Sequence, residues 1–145
     1  MNPSKKVILY AEDNDSDAFL IAHAFKKAGI EHRLEVVPNG QTAIQYLAGE
    51  GEYADRAQHP LPSLVLLDLN MPGVSGLEVL KWIRTTPSVC TLVAVMLTSS
   101  NQDADIHRAY AQGANGYLVK PGSIDAIVAM AHAIKDYWLT QNRGT

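Results

Sequence analysis

Short apolar runs alternate with longer amphipathic stretches along the chain, a pattern typical of βαβ units around a parallel sheet. The run from Leu64 to Leu67 is apolar at every position, as expected of a strand that helices cover on both faces. The pattern predicts strands at Lys5–Ala11, Arg33–Val37, Ser63–Asp68, Thr91–Leu97 and Gly116–Val119, and helices at Asp15–Ala28, Thr42–Ala48, Gly76–Arg84, Gln102–Gln112 and Ile124–Leu139. We therefore expect an α/β fold, with helices on both faces of a five-stranded parallel sheet.

Helix-start signals support several of these boundaries. Ser75 precedes Glu78 at the spacing of a capping box, Ser100 stands three residues before Asp103, and Ser123 opens the last predicted helix. The one long connection, Gly49–Pro62, is rich in glycine, proline and charge. Both a functional loop and a solvated loop fit that composition.

The composition is that of an ordinary globular domain, and it argues against several classes of function. The chain has 145 residues, 47% of them hydrophobic and 19% charged. We predict a single domain over residues 1–145 with an ordered core at about 5–139. The formal net charge is −3 and no basic block stands out, which argues against nucleic-acid binding. The first apolar run, Val7–Ala11, is too short for a signal peptide or a membrane span, so we expect a cytoplasmic protein.

Cysteine and histidine offer little chemistry in this sequence. Cys90 is the single cysteine, and we expect it to be a small buried hydrophobe beside an apolar run. The five histidines show no metal-ligand spacing, so we expect ordinary surface or partly buried side chains.

Polar side chains with complementary chemistry follow four of the predicted strands. The first strand ends at Glu12 and Asp13, the third at Asp68, the fourth at Thr98 and the fifth at Lys120. Ligand sites of open parallel α/β sheets lie beyond the carboxyl ends of the strands. If these strands are neighbours, one edge of the sheet collects three carboxylates, a hydroxyl and an ammonium.

This set of groups suits the transfer of a phosphoryl group onto a carboxylate. Three carboxylates beside one lysine repel each other unless a cation joins them, and hard oxygen ligands suit Mg²⁺. The transfer needs a nucleophilic carboxylate, a metal, a second cation and a donor hydroxyl. These places are filled by Asp68, by Asp13 with Glu12, by Lys120 and by Thr98.

The order and spacing of five motifs resemble the receiver domains of two-component response regulators. The motifs are Glu12-Asp13, Leu67 to Gly73 with Gly76, Leu97-Thr98-Ser99, Gly113-Ala114 and Lys120-Pro121. A narrower resemblance, to single-domain regulators paired with bacterial phytochrome kinases, rests on Asn39-Gly40, the Gly49–Pro62 insertion and the ending from Ile134 to Leu139. The resemblance implies a flavodoxin-like strand order, 2-1-3-4-5.

The resemblance also implies how a metal would be held. Asp13 and Asp68 would bind Mg²⁺ directly, with Mn²⁺ as a substitute, and Glu12 would act through a metal-bound water. The backbone carbonyl of Asn70 would complete the site. The resemblance further implies that Asp68 accepts the phosphoryl group from a sensor histidine kinase. The narrower resemblance implies that this kinase is a bacterial phytochrome.

The remaining implied roles concern the phosphoryl group and the output of the signal. Thr98 and Lys120 would hold phosphoryl oxygens, Tyr117 would be an aromatic switch, and the bond before Pro121 would be cis. With no output domain in the sequence, we expect the signal to pass by protein association. The expected surface is that of the fourth helix, fifth strand and last helix, which would also form a homodimer.

Three other functions fit this sequence less well. A Mg²⁺-dependent phosphohydrolase with an Asp-x-Asp motif would need a general acid where Asn70 stands. A flavin carrier would need a phosphate loop where Glu12 and Asp13 stand. A phosphate-independent module of the same fold would have no use for a complete acidic site. We expect no enzyme activity beyond the protein's own phosphorylation and slow dephosphorylation.

Overall fold

The sheet is built from five parallel strands whose side chains are buried on both faces at its centre. The structure is a computed structural model, and it describes residues 6–141. Its strands are β1 (Val7–Ala11), β2 (Arg33–Val37), β3 (Leu64–Leu67), β4 (Ala94–Thr98) and β5 (Gly116–Val119). All neighbours pair in parallel in the order β2-β1-β3-β4-β5, which confirms the predicted fold class and strand order.

Five α-helices cover the sheet, and a short 3₁₀-helix (Gly51–Ala54) lies in the long loop. The helices are α1 (Asp15–Lys27), α2 (Gly40–Ala48), α3 (Gly76–Thr85), α4 (Asp103–Ala111) and α5 (Ile124–Ile134). Alternate residues of each strand face opposite layers. One apolar cluster joins the sheet to α2, α3 and α4, and the other joins it to α1 and α5.

The structure differs from the predicted boundaries at β4 and at the end of the last helix. The strand β4 begins at Ala94 rather than Thr91, because a turn closed by the Leu92 N–H and the Val89 carbonyl (3.0 Å) precedes it. The helix α5 ends at Ile134 and continues as a π-helical segment, Lys135–Gln141. In that segment Trp138 lies against β5, where a Cβ on Gly116 would be 3.0 Å from its ring.

Two expectations about single side chains are wrong. Ser100 is not the cap of α4: Gln102 occupies that position without a side-chain cap, and the Ser100 hydroxyl donates to Asp105 instead (2.6 Å). Cys90 is half-buried rather than buried, because its side chain lies in the turn before β4 while its neighbour Val89 enters the core. The capping box of Ser75 and the cap of Ser123 are present as predicted.

One arginine of the long loop ties the loop to α2. The guanidinium of Arg56 donates to the carbonyls of Tyr46, Leu47 and His59 at 2.7–3.1 Å. The carbonyls of Tyr46 and Leu47 lie in the last turn of α2, where the helix itself provides no donors. The loop is therefore packed on the fold rather than extended into solvent.

Candidate functional site

Asp68 lies at the carboxyl edge of the sheet, where the backbone fixes its position. It directly follows β3, its N–H donates to the Ala11 carbonyl (3.1 Å), and the residue is only 6% exposed. The first turn of α3 approaches it closely, since a Cβ on Gly76 would lie 2.2 Å from the Asp68 carbonyl oxygen. A larger residue at position 76 would therefore displace either α3 or Asp68.

Lys120 reaches three carboxylates from the end of β5. Its Nζ lies 2.8 Å from Asp68 Oδ2 and 3.0 Å from Asp17 Oδ2, and it also donates to Glu12 Oε1. Burial lowers the pKa of Lys120, but the hydrogen bonds to Asp68, Glu12 and Asp17 outweigh it, so the pKa is raised overall. The ammonium thus stays charged although its side chain is only 11% exposed.

Glu12 is a buried carboxylate with a partner for each oxygen. Its Oε1 accepts from the Tyr10 hydroxyl (2.7 Å) as well as from Lys120, and its Oε2 accepts from the Asn14 N–H (3.1 Å). Burial raises the pKa of Glu12, and the hydrogen bonds from Lys120 and Tyr10 oppose this only in part. The carboxylate is therefore held in place at a cost in solvation.

Three acidic side chains at this edge could share a metal ion. Glu12, Asp13 and Asp68 each offer a carboxylate oxygen, and these oxygens lie within 4.8 Å of one another. Asp13 is exposed to solvent, whereas the other two are buried. Oxygen donors with one open, solvated side fit a divalent cation that keeps some of its waters, as Mg²⁺ and Mn²⁺ do.

Asn70 lies two residues beyond Asp68, and its N–H donates to Asp68 Oδ1 (3.1 Å). This bond orients the Asp68 carboxylate, whose second oxygen contacts Lys120. Asn70 is therefore at the site, as predicted. Its predicted role as a carbonyl ligand stays a prediction.

Thr98 and Tyr117 meet the same loop residue. Thr98 is fully buried at the end of β4, and its Oγ1 accepts from the Ser100 N–H (3.4 Å). Tyr117 is half-buried on β5, and its hydroxyl donates to the Ser100 carbonyl (2.9 Å). Both side chains are thus tied to the loop between β4 and α4, which gives the predicted pair a common contact.

The bond between Lys120 and Pro121 is trans, so the predicted cis isomer is wrong; no peptide bond within residues 6–141 is cis. Trans is the intrinsically preferred isomer even before proline, by about 0.5–1 kcal/mol. With the trans bond, the Lys120 backbone N–H donates to the Thr98 carbonyl (2.7 Å), and the Lys120 side chain still contacts the site carboxylates.

Sequence reasoning missed two residues that touch the site, Tyr10 and Asp17. Tyr10 is on β1, two positions before Glu12, which directly follows the strand and continues its pairing with β2. Residues two apart in such an extended segment face the same side. Asp17 lies in the first turn of α1, close to the end of β1. Strand periodicity could have suggested Tyr10, but the approach of Asp17 to Lys120 depends on how α1 packs.

The chain matches a known family over most of its length. The family described as "Response regulator receiver domain" matches residues 8–132. The probable methanogenesis regulatory protein FilR2 of Methanothrix harundinacea is 39% identical over 137 residues, which cover 94% of this chain and 86% of FilR2. The response regulator Rcp1 of Synechocystis is 36% identical over 138 residues, 95% of this chain and 91% of Rcp1.

Solved structures of relatives share the whole fold. The phosphorylated cyanobacterial phytochrome response regulator RcpA superposes with a TM-score of 0.89 at 33% identity, covering 97% of this chain and 99% of RcpA. The Mn²⁺-bound form of Rcp1 gives a TM-score of 0.85 at 34% identity, covering 97% of this chain and 99% of Rcp1.

Within residues 6–141, no helix has both the length and the apolar character needed to cross a membrane.

Proposed function

We propose, from the premise that the chain belongs to the response regulator receiver domain family, that it is a switch operated by phosphorylation of Asp68. One observation carries this proposal: the Asp68 carboxylate lies 2.8 Å from the Lys120 ammonium and shares a potential metal site with Glu12 and Asp13. A carboxylate nucleophile between two sources of positive charge is what phosphoryl transfer requires.

The donor in this proposal is a phosphohistidine of a sensor histidine kinase. An Asp68 carboxylate oxygen attacks phosphorus, and the P–N bond to the donor breaks. The ring nitrogen leaves with the bonding electrons, so a donor protonated on its other nitrogen leaves as neutral imidazole. Lys120 moves from Asp68 to a phosphoryl oxygen, and the Thr98 hydroxyl donates to another.

Asp13 and Asp68 would hold Mg²⁺, with Glu12 acting through its water and the Asn70 carbonyl completing the site. The bound ion would supply charge that neutralises the phosphoryl oxygens. The acidic cluster supports a divalent cation, and the relative Rcp1 is known in a Mn²⁺-bound form. Mg²⁺ is our choice because it readily keeps water and takes phosphate oxygens.

A protein donor suits the rim of the site better than a small one. Phe19 on α1 is 71% exposed and Ile124 at the start of α5 is 54% exposed. Ile124 also lines a cavity of about 250 Å³ beside Lys120 and Asp17. Relatives such as the cyanobacterial phytochrome response regulator RcpA support a bacterial phytochrome as the kinase.

We also propose that the protein acts in the cytoplasm.

We further propose that the phosphorylated state is read by association, including homodimerisation, through α4, β5 and α5. Exposed apolar side chains support this surface: Tyr110 on α4 is 50% exposed, Val119 on β5 41%, and Tyr137, in the π-helical segment that continues α5, 60%. The contacts of Thr98 and Tyr117 with Ser100 connect it to the site. Sedimentation with and without beryllofluoride should show a shift in association, and an unchanged distribution would refute this output.

Incubation with acetyl phosphate and Mg²⁺, followed by intact mass measurement, tests the acceptor. The wild-type protein should gain one phosphoryl mass and Asp68→Asn none, because an amide cannot form the acyl phosphate. Asp55→Asn, at an exposed position of the long loop, is the matched control and should gain the same mass as wild type. Equal labelling of wild type and Asp68→Asn would refute the proposal.

A further inference from the structure

Tyr10 is a wholly buried tyrosine whose hydroxyl ends at the acidic site. The side chain is 0% exposed and packs in the layer of α1 and α5. Its hydroxyl donates to Glu12 Oε1 over 2.7 Å. Glu12 directly follows β1, and its N–H donates to the Val37 carbonyl at the end of β2 (3.0 Å). The extended backbone therefore continues through Glu12 and keeps the phenol and the carboxylate on the same side.

The partners of Glu12 differ in what happens to them during the proposed reaction. Oε2 accepts a backbone N–H, that of Asn14, but Oε1 has only Tyr10 and Lys120. Lys120 is shared with Asp68 and Asp17, and it turns to the phosphoryl group in the proposed transfer. Tyr10 is then the partner that keeps Glu12 Oε1 in position.

We propose that Tyr10 is a positioning residue: its hydroxyl fixes the Glu12 carboxylate toward the metal while Lys120 moves between Asp68 and the phosphoryl group. The inference rests on the proposed function. It also gives a reason for glutamate at position 12, because the longer side chain places Oε1 at 2.7 Å from the buried hydroxyl. Loss of a hydrogen bond to a carboxylate at a metal site commonly weakens metal binding.

Tyr10→Phe tests the inference because it keeps the ring and removes only the hydroxyl. Mn²⁺ affinity, measured from free Mn²⁺ by electron paramagnetic resonance, should fall about tenfold. Tyr46→Phe is the matched control: Tyr46 is also 0% exposed, and its hydroxyl donates to the Pro60 carbonyl (2.9 Å) in the other layer. This variant should bind Mn²⁺ as wild type does, even if urea unfolding shows that both variants are less stable.

A double-mutant cycle with Glu12→Asp separates positioning from packing. Tyr10→Phe removes the hydroxyl and Glu12→Asp withdraws the carboxylate that accepts from it, so each should weaken Mn²⁺ binding about tenfold. The double variant should also lose only about tenfold, whereas independent effects would multiply to about a hundredfold. If Tyr10→Phe does not fold, Glu12→Asp still tests the contact, because unchanged affinity in that variant overturns the inference.

The outcomes separate this inference from the proposed function. Wild-type affinity in Tyr10→Phe, or independent effects in the double variant, would overturn the role of Tyr10 while wild-type phosphorylation of Asp68 stands. A wild-type protein that neither binds Mn²⁺ nor gains a phosphoryl group would overturn both.

Discussion

Two half-buried cations hold opposite ends of the strands β4 and β5, and their surroundings differ in charge. Lys120 follows β5 at the carboxyl edge and contacts the carboxylates of Glu12, Asp17 and Asp68. Arg84, at the end of α3, lies at the amino edge. Its partners there are neutral oxygens, namely the carbonyls of Cys90, Leu92 and Gly113 and the side chain of Asn115, at 2.7–3.0 Å.

The pKa shifts of the two cations run in opposite directions. Burial lowers the pKa of Arg84, and none of its hydrogen-bond partners is a carboxylate that would oppose this effect. The pKa of Lys120 is raised because the carboxylates outweigh burial. Arg84 thus has a structural role, because it donates hydrogen bonds to neutral oxygens of two loops. The site around Lys120, in contrast, has more carboxylates than cations and therefore an excess of negative charge. That excess attracts a divalent metal ion, and the charge of such an ion could then offset that of an incoming phosphoryl group.

Arg84→Ala should give the largest effect on stability. Four hydrogen bonds from one guanidinium would be lost, three of them to part-buried carbonyls, at a cost of about 3 kcal/mol in the free energy of unfolding. Urea unfolding measures the loss, and Arg84→Lys should recover only part of it because lysine lacks the planar fork. The folded fraction should still accept phosphoryl groups at the wild-type rate. A specific loss of phosphorylation would contradict the purely structural role of Arg84.

Lys120→Met should instead affect the chemistry. Removal of one group that stabilises developing charge slows a reaction about a hundredfold, equivalent to about 2.7 kcal/mol. The rate of mass gain with acetyl phosphate measures this effect, and Lys81→Met, at an exposed position of α3, is the control. Mg²⁺ should raise the melting temperature of Lys120→Met more than that of wild type, because the remaining carboxylates lack their ammonium. A wild-type labelling rate would show that Lys120 is structural, like Arg84.

Asp13→Ala should weaken metal binding without weakening the fold. The side chain is exposed, so its loss removes a ligand and relieves repulsion rather than opening a cavity. We expect Mn²⁺ affinity to fall about tenfold or more, with unfolding in the absence of metal unchanged or shifted to higher urea. Asp15→Ala, exposed at the start of α1, should bind Mn²⁺ as wild type does. Unchanged affinity in Asp13→Ala would remove it from the site.

Tyr117→Phe should have the smallest effect. It loses one hydroxyl contact, to the Ser100 carbonyl, worth about 1 kcal/mol of stability. Phosphorylation should stay near the wild-type rate, while the change in sedimentation caused by beryllofluoride should be weakened. Tyr110→Phe, whose ring is half exposed, is the control for losing a phenol on the same surface. A strong loss of phosphorylation in Tyr117→Phe would place it in the chemistry instead.

The elements that the sequence predicts best are those whose apolar pattern has clear ends. The bounds of β2 and β5 are as predicted, at Arg33–Val37 and Gly116–Val119. The predicted start of β4 was wrong because the apolar run extends back from the strand into the turn closed by Val89 and Leu92. The site residues at strand ends were predictable, since parallel strands bring their carboxyl ends together.

What the sequence could not provide were contacts that depend on packing between elements. Asp17 reaches Lys120 only because α1 packs beside α5, and the four partners of Arg84 come from two loops. The Tyr10–Glu12 contact follows strand periodicity, but a buried tyrosine looks like ordinary core until its hydroxyl has a partner. The trans bond before Pro121 was also beyond sequence reasoning, since both isomers are accessible before proline.

The most direct test of the central claim is to locate the phosphoryl group. Sodium borohydride reduces an aspartyl phosphate to homoserine, so a labelled protein can be reduced, digested and sequenced by mass spectrometry. If Asp68, at the carboxyl edge of the sheet, is the phosphorylated residue, homoserine should be found at position 68 and at no other aspartate. Homoserine at Asp13 or Asp17 with an unmodified Asp68, or no homoserine at all, would contradict it.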